Sequence, residues 1–152
     1  MGTGLWSGLL RDLNQRDKRF SHIGIVLGGP DGKWQVVHAD ADDQSLNGGV
    51  TVISMEEFKA ASTSWAVYRH PSISALQSSG IAEAARSLIG TEFDARFDLD
   101  DPTELYCSEL AFRAYLAAGS NLIRPSNVDG RKFVSIDDCY LGAECIDNMC
   151  TD

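Results

Sequence analysis

The stretch from Leu105 to Gly119 most constrains the fold of this chain, because it predicts a helix that begins near a cysteine. Cys107 lies at or near the first turn, where unpaired N–H groups and the positive helix end favour thiolate and can stabilise an oxyanion. A free cysteine is usually a small apolar core residue, so this position alone does not make Cys107 a nucleophile. The apolar positions at helical spacing are Leu110, Ala111, Ala114, Tyr115 and Ala118, and Gly119 follows as a stop.

Length and charge restrict the classes of protein that fit. The 152 residues, 43% of them hydrophobic, predict one folded domain over 1–152, with a cysteine-containing C-terminal tail over 137–152. A net charge of -9 argues against nucleic acids and anionic membrane surfaces as partners. No apolar run approaches the roughly 20 residues that span a bilayer, so no integral membrane segment is expected. The N-terminus lacks the basic region of a secretory signal, which predicts a cytoplasmic or already processed chain; a periplasmic or secreted location stays open.

The four cysteines are spread unevenly along the sequence. Cys107 stands alone, whereas Cys139, Cys145 and Cys150 fall within the last fourteen residues, without a C-x-x-C pair. A structural zinc site is therefore not expected. In an oxidising compartment two of the last three could form a disulfide, and in a reducing cytosol all four would stay free.

The remaining pattern predicts an α+β fold, in which an antiparallel sheet packs against helices. A helix capped by Ser54 and Glu57 is expected to run to about Ala61. Thr91 to Pro102 predicts an irregular acidic loop. Strands are predicted over 20–27, 34–39, 50–53, 65–69 and 132–136, and the other helices over 5–13 and from Ser74 to Gly90.

Three histidines are the candidate bases for Cys107. His22 and His38 lie near the same open end of a predicted hairpin, and their relative facing depends on strand register. If Gly28 pairs with Lys33 they point to opposite faces; a loop one residue shorter or longer puts them on the same face. His70, directly before a proline at a strand end, is the weakest candidate.

Several short motifs in a consistent order resemble one family. They are Ser21-His-Ile-Gly-Ile-Val26, Val36-Val-His-Ala39, Leu88-Ile-Gly-Thr-Glu-Phe-Asp94 and Tyr106-Cys-Ser-Glu-Leu110. Together they resemble the YiiX/YebB-like group, which are circularly permuted relatives of the NlpC-type papain-like amidases. The resemblance covers about residues 5 to 119 and implies a permuted papain-like fold, in which the histidine strand precedes the cysteine helix.

The resemblance also implies roles for individual residues. Cys107 matches the family nucleophile and His22 the base, and the backbone N–H groups of Cys107 and Ser108 would hold the oxyanion. His38 falls where the family often has a glutamate that orients the base, and Asp40 is the alternative orienting group. Tyr106, beside the cysteine, is a possible supporting residue. In the pair Phe93-Asp94 a phenylalanine stands where tyrosine is expected.

The resulting prediction is a cysteine hydrolase, amidase-like or peptidase-like, that cleaves an amide or ester through an acyl-thioester. Small-molecule or peptide substrates are expected, with peptidoglycan peptides and lipid or amino-acid amides both possible, and no cofactor or metal is required. The thiol pKa has to fall for this chemistry to work at neutral pH. Two alternatives are a non-catalytic binding domain with a papain-like shell and a redox or structural thiol protein. Glu109 is expected to be a buried partner of Arg69 or Arg113.

Overall fold

Helices and antiparallel strands alternate along the chain in a computed structural model that describes residues 11–29, 31–41, 48–128 and 130–149. Residues 11–13 are helical, and the rest of the predicted first helix lies outside the described residues. The elements are β1 (Ile25–Gly28), β2 (Trp34–Asp40), β3 (Gly49–Ser54), α1 (Met55–Ala60), β4 (Trp65–Arg69), α2 (Ala75–Ser87), α3 (Cys107–Ala117), β5 (Ser126–Val128), β6 (Arg131–Phe133), α4 (Ile136–Tyr140) and β7 (Glu144–Met149).

The main sheet has the strand order β1-β2-β3, with both pairs antiparallel. Side chains alternate between its faces, so Leu27, Val37, Ala39 and Val50 share one face and are buried in the core. The other face carries Trp34, Val36 and His38 and is partly covered by α1. One face of the sheet therefore packs into the core, and the other lies partly under α1. The predicted α+β fold, an antiparallel sheet packed against helices, is confirmed.

Helix α3 buries six of its eleven residues, those from Cys107 to Ala111 and Ala114. Leu110 and Ala114 are fully buried, and α3 packs on α2 through small and branched side chains such as Ile81 and Ala85. Burying a leucine side chain stabilises a fold by about 1.5–3 kcal/mol, so this face fixes where the helix lies. The helix begins at Cys107, as predicted. It ends before Gly119, whose φ of 72° is a left-handed conformation that glycine adopts without strain.

The predicted helix after β3 is confirmed with its cap. The Ser54 side chain accepts the Glu57 N–H at 3.1 Å, and the Glu57 carboxylate accepts the Ser54 N–H at 2.8 Å. This reciprocal pairing satisfies two N–H groups that a helix start would otherwise leave unpaired. Helix α1 thereby begins directly at the end of β3 and carries Phe58 over the sheet.

Three predicted strands differ from the structure. The predicted strand over 20–27 pairs only from Ile25, since the Phe20 carbonyl accepts the Asn14 side chain at 2.9 Å in place of a strand partner. Strand β4 has the predicted bounds but pairs with β7, not with the main sheet, because α1 intervenes and turns the chain away. The strand predicted over 132–136 ends at Phe133, because Ser135 caps α4.

The described part of segment 137–152 contributes both α4 and β7. Asp137 is fully buried in α4 and accepts the Arg16 N–H at 2.8 Å, which ties this helix to the segment before His22. Cys139 is buried and Cys145 is exposed, and both are free thiols; Cys150 lies outside the described residues. Within the described ranges, every helix is too short or too polar to span a bilayer.

Candidate active site

His22 and His38 lie against each other on one face of the main sheet. Gly28 pairs with Trp34, one residue beyond the Lys33 pairing considered from sequence, and this register puts both histidines on the same face. His22 Nε2 lies 3.0 Å from His38 Nδ1, a hydrogen-bond distance, and the rings meet edge to face with centroids 5.2 Å apart. The structure therefore settles the register question and brings the predicted base and orienting residue together.

Gly24 makes this close approach possible. A Cβ at position 24 would lie 2.4 Å from a Val36 side-chain carbon and 3.2 Å from the His38 Cβ. Real side chains do not tolerate the first distance, so any larger residue would push the His22 segment away from β2. The glycine was visible in the sequence only as part of a strand pattern, and its role was not predicted.

Phe58 is a second residue whose role the sequence pattern missed. Its ring stacks on His22 with centroids 5.7 Å apart and meets the His38 ring edge-on at 5.6 Å. The sequence predicted the helix that carries Phe58 but gave no signal for its contact with the histidines. Because the capping box fixes the start of that helix at Ser54, Phe58 is held over both imidazoles and limits their rotation.

Asp40 is the third polar group of this cluster. It occupies the position opposite His22 when the β1–β2 register is extended by three residues, and its side chain is exposed. One ligand atom each from His22, His38 and Asp40 lies within 4.8 Å of the others. Two imidazoles and a carboxylate form a donor set that fits zinc and other divalent d-block metals.

Cys107 opens α3 and is enclosed by backbone donors. Hydrogen bonds from the backbone at Ile23 and Ser108 favour its thiolate, but burial outweighs them and raises the pKa of Cys107 to about 12. The side chain is 1% exposed. The predicted thiolate stabilisation at the helix start is therefore present but is overcome by desolvation. The contact with Ile23 also puts the sulfur beside the chain segment that carries His22.

The pKa values of His22 and His38 are both lowered, which keeps the two imidazoles neutral. Burial lowers the pKa of His22 to about 4; the nearby Asp40 carboxylate raises it and His38 lowers it further. Burial also lowers the pKa of His38, and the Asp40 carboxylate again opposes this by raising it. At neutral pH the resting site therefore contains a neutral thiol and two neutral imidazoles, not a thiolate–imidazolium pair.

The remaining predicted residues serve mainly to hold α3 in place. The Ser108 hydroxyl donates to the Val134 carbonyl at 2.7 Å, and the Tyr106 hydroxyl accepts the Val134 N–H at 2.9 Å. Tyr106 also stacks on Phe133, so its hydroxyl is engaged away from the histidines. Glu109 pairs with Arg113 at 2.8 Å, which confirms one of its two predicted partners.

His70 lies in a different environment from the histidine pair. It is buried, its Nε2 lies 2.9 Å from the Cys139 carbonyl oxygen, and its ring meets Tyr115 edge-on. A ring nitrogen bound to a backbone carbonyl is a donor and cannot serve there as a base. His70 Nε2 is therefore engaged with the backbone of α4. Phe93 is likewise buried, and Asp94 accepts the N–H groups of Arg96 and Asp98 at 2.8 and 2.5 Å.

A cavity of about 640 Å³ lies beside the His22 segment and is within the size range of small-molecule sites. His22 lines it, whereas Cys107 does not, so a substrate carbonyl reaches the sulfur only after a local rearrangement. The other lining residues are mostly apolar or aromatic, among them Ile23, Ile25, Phe58, Ile81, Tyr115 and Tyr140.

A cysteine at the start of a buried helix, preceded in the chain by a histidine-bearing sheet, is the arrangement of the permuted papain-like class. Residues 7–139 match the family of permuted papain-like amidase enzymes, YaeF/YiiX, C92, and the chain belongs to this family. The crystal structure of metalloprotein yiiX from Escherichia coli O157:H7 is similar in fold. Its TM-score is 0.76 at 17% identity, over 99% of this chain and 92% of that chain. No curated protein matches the sequence. The predicted fold and the resemblance to YiiX are thereby confirmed.

Proposed function

We propose that the protein is a cysteine hydrolase that cleaves an amide or ester bond, with Cys107 as nucleophile and His22 as general base. The observation that carries this proposal is the 3.0 Å contact between His22 Nε2 and His38 Nδ1. Because this contact occupies Nε2, it leaves Nδ1 of His22 for the thiol proton. Membership of an amidase family supports the same class of reaction.

The proton positions follow from this assignment. A neutral imidazole that accepts at Nδ1 carries its proton on Nε2, so His22 would donate to His38 Nδ1. His38 then carries its own proton on Nε2, which is buried and without a hydrogen-bond partner in the described part of the chain. His38 is therefore proposed as the orienting group, and the exposed Asp40 carboxylate stabilises the positive charge that develops on His22.

Proton transfer is expected to accompany attack and not to precede it, since the resting thiol and imidazole are both neutral. His22 takes the thiol proton as the sulfur bonds to the carbonyl carbon, and the N–H groups at Cys107 and Ser108 stabilise the oxyanion. His22 then gives the proton to the leaving amine or alcohol, and water releases the acyl group from the thioester. Access to the sulfur requires the local opening described above.

The cavity beside His22 favours a substrate that carries an apolar acyl or side group. Its lining consists mostly of isoleucine, valine and aromatic side chains, and it also contains Arg19, Lys59, Arg69 and Asp147. Lipid or apolar amino-acid amides and esters, one of the substrate classes expected from the sequence, match the apolar part of this lining.

The test is hydrolysis of a series of p-nitrophenyl esters and p-nitroanilides of increasing acyl length, with acyl-enzyme trapping by intact mass spectrometry. Wild type should gain one acyl group on Cys107 and favour the longer chains. Cys107→Ala should abolish turnover, and His22→Ala should slow it by about 10²- to 10⁴-fold. Cys145→Ala, at an exposed free thiol, is the matched control and should leave turnover unchanged.

Turnover that survives in Cys107→Ala would remove the nucleophile from the proposal. Equal rates for wild type and His22→Ala would remove the base. No turnover and no acylation across the series would favour the non-catalytic binding domain.

A further inference from the structure

The cluster of His22, His38 and Asp40 has the geometry of a metal site, in addition to the geometry of a general base with an orienting group and a carboxylate. Its ligand atoms lie within 4.8 Å of one another, and the two imidazole nitrogens are 3.0 Å apart. Two nitrogens bonded to one tetrahedral zinc at about 2.0–2.1 Å would lie roughly 3.3 Å from each other. The two nitrogens are therefore already close to the separation that a shared cation requires, and the rings need only turn so that both lone pairs face it.

The carboxylate can complete the site. Asp40 is exposed at the end of β2, so its side chain can turn toward the imidazoles without leaving a buried gap. Phe58 packs on both rings and holds them in place before any cation arrives, which reduces the ordering cost of binding. Two imidazoles and one carboxylate leave a fourth tetrahedral position open.

We infer that this cluster binds one divalent d-block cation, with zinc as the expected ion, and that the bound form is hydrolytically inactive. This inference rests on the proposed function. A cation on Nε2 of His22 places the ring proton on Nδ1, the nitrogen that would otherwise accept the proton of Cys107. The same imidazole can therefore support either metal binding or thiol activation, but not both at once.

Binding is tested without reference to activity. Metal-free protein, prepared by dialysis against EDTA, is titrated with ZnCl₂ by calorimetry and with CoCl₂ by visible absorption of the tetrahedral ion. One equivalent should bind. His38→Ala should weaken binding by more than about 100-fold and Asp40→Asn by about 10- to 100-fold, while Cys145→Ala and Cys107→Ala should bind like wild type. Asp40 is exposed, so Asp40→Asn keeps the test decisive if His38→Ala fails to fold.

Ester hydrolysis separates this inference from the proposed function. ZnCl₂ should inhibit turnover at the concentrations at which it binds, and EDTA should restore it. Binding that is absent, or unchanged in His38→Ala and Asp40→Asn, would overturn the metal site even if the enzyme is active. Activity that needs the cation and is lost in EDTA would overturn the inactive assignment. Stoichiometric binding in a protein without turnover would leave the metal site standing and contradict the hydrolase.

Discussion

Two buried polar clusters of this protein differ in how completely their atoms are paired. The first, which we call the clasp, consists of Asn14, Arg16, Ser135, Asp137 and Asp138 and joins the segment before His22 to α4. Each buried side-chain oxygen or nitrogen of the clasp has a partner in the described residues. In the second cluster, His22 and His38 contact each other, but His38 Nε2 has no hydrogen-bond partner among the described residues.

This difference distinguishes buried polar groups that stabilise the fold from buried polar groups that take part in a reaction. A buried group left unpaired costs about 1–3 kcal/mol, so a cluster that only holds the fold together is expected to be fully satisfied. The clasp meets that expectation. In the histidine pair, His38 retains an unpaired nitrogen and His22 lines a cavity. This combination is expected where ring orientation and proton position matter more than stability. Substitutions in the clasp should therefore change stability, and substitutions in the pair should change reactivity.

The largest effect is expected from Asp137→Ala in the clasp. Its carboxylate accepts the N–H groups of Arg16 and Asp17 at 2.8 and 3.3 Å and lies against the Ser135 hydroxyl. Removing it leaves buried donors unpaired, so the free energy of unfolding should fall by about 3–5 kcal/mol. Urea unfolding measures this, with Glu83→Ala on the exposed side of α2 as control. An effect below about 1 kcal/mol would contradict the structural role of the clasp.

The next effect concerns the thiol beside the histidine pair. Burial raises the pKa of Cys107 to about 12, so few molecules carry its thiolate at neutral pH. Iodoacetamide should therefore alkylate Cys107 at least about 100-fold more slowly than the exposed Cys145 at pH 7, and its rate should rise continuously from pH 7 to pH 10. Peptide mapping by mass spectrometry measures both sites in one sample. Faster alkylation of Cys107 at pH 7 would show that the site is open and activated before substrate binds.

Slow alkylation of Cys107 does not by itself indicate a non-catalytic binding domain. Because burial by itself now predicts slow labelling, turnover and acyl trapping are the measurements that separate a hydrolase from a binding domain.

A smaller effect is expected at His38, which positions the base. His38→Phe removes the acceptor for His22 Nε2 and should lower kcat/KM for an ester by about 10- to 100-fold. The free energy of unfolding should not fall, because the unpaired nitrogen is also removed. His38→Gln keeps an acceptor and should recover part of the rate. If Phe and Gln variants lose stability and rate in parallel, His38 belongs with the clasp.

The sequence predicted more of the elements than of their pairing. The start of α3 at Cys107 and the cap at Ser54 depend on local patterns, and both are confirmed. The pairing of β4 with β7 depends on residues about eighty positions apart, which no local pattern specifies. At the site, Cys107, His22 and His38 were proposed from motifs. The shared face of the histidines depended on one residue of register, and the contribution of Phe58 depended on how α1 crosses the sheet.

Glu109 sharpens the comparison, because it is the other described side chain with an unpaired buried atom, Oε2, and it lies away from the histidine pair. Its other oxygen pairs with Arg113 at 2.8 Å. Burial, opposed by Arg113, raises the pKa of Glu109 from its ordinary 4.5 to about 7. Between these values the folded state binds more protons than the unfolded state, so stability falls as pH rises through this window and levels off above it.

Glu109→Gln removes that titration. From pH 5 to pH 8 the wild type should therefore lose stability relative to Glu109→Gln. The loss should be on the order of 1 kcal/mol in unfolding free energy, or a few degrees in Tm. Thermal unfolding at the two pH values measures it, and ester turnover at each pH should be altered far less than in His38→Phe. A constant difference would mean that Glu109 is ionised throughout and held by Arg113. A large loss of turnover in Glu109→Gln would mean that Glu109 contributes to the reaction as the histidine pair does. The reactive cluster would then include the first turn of α3.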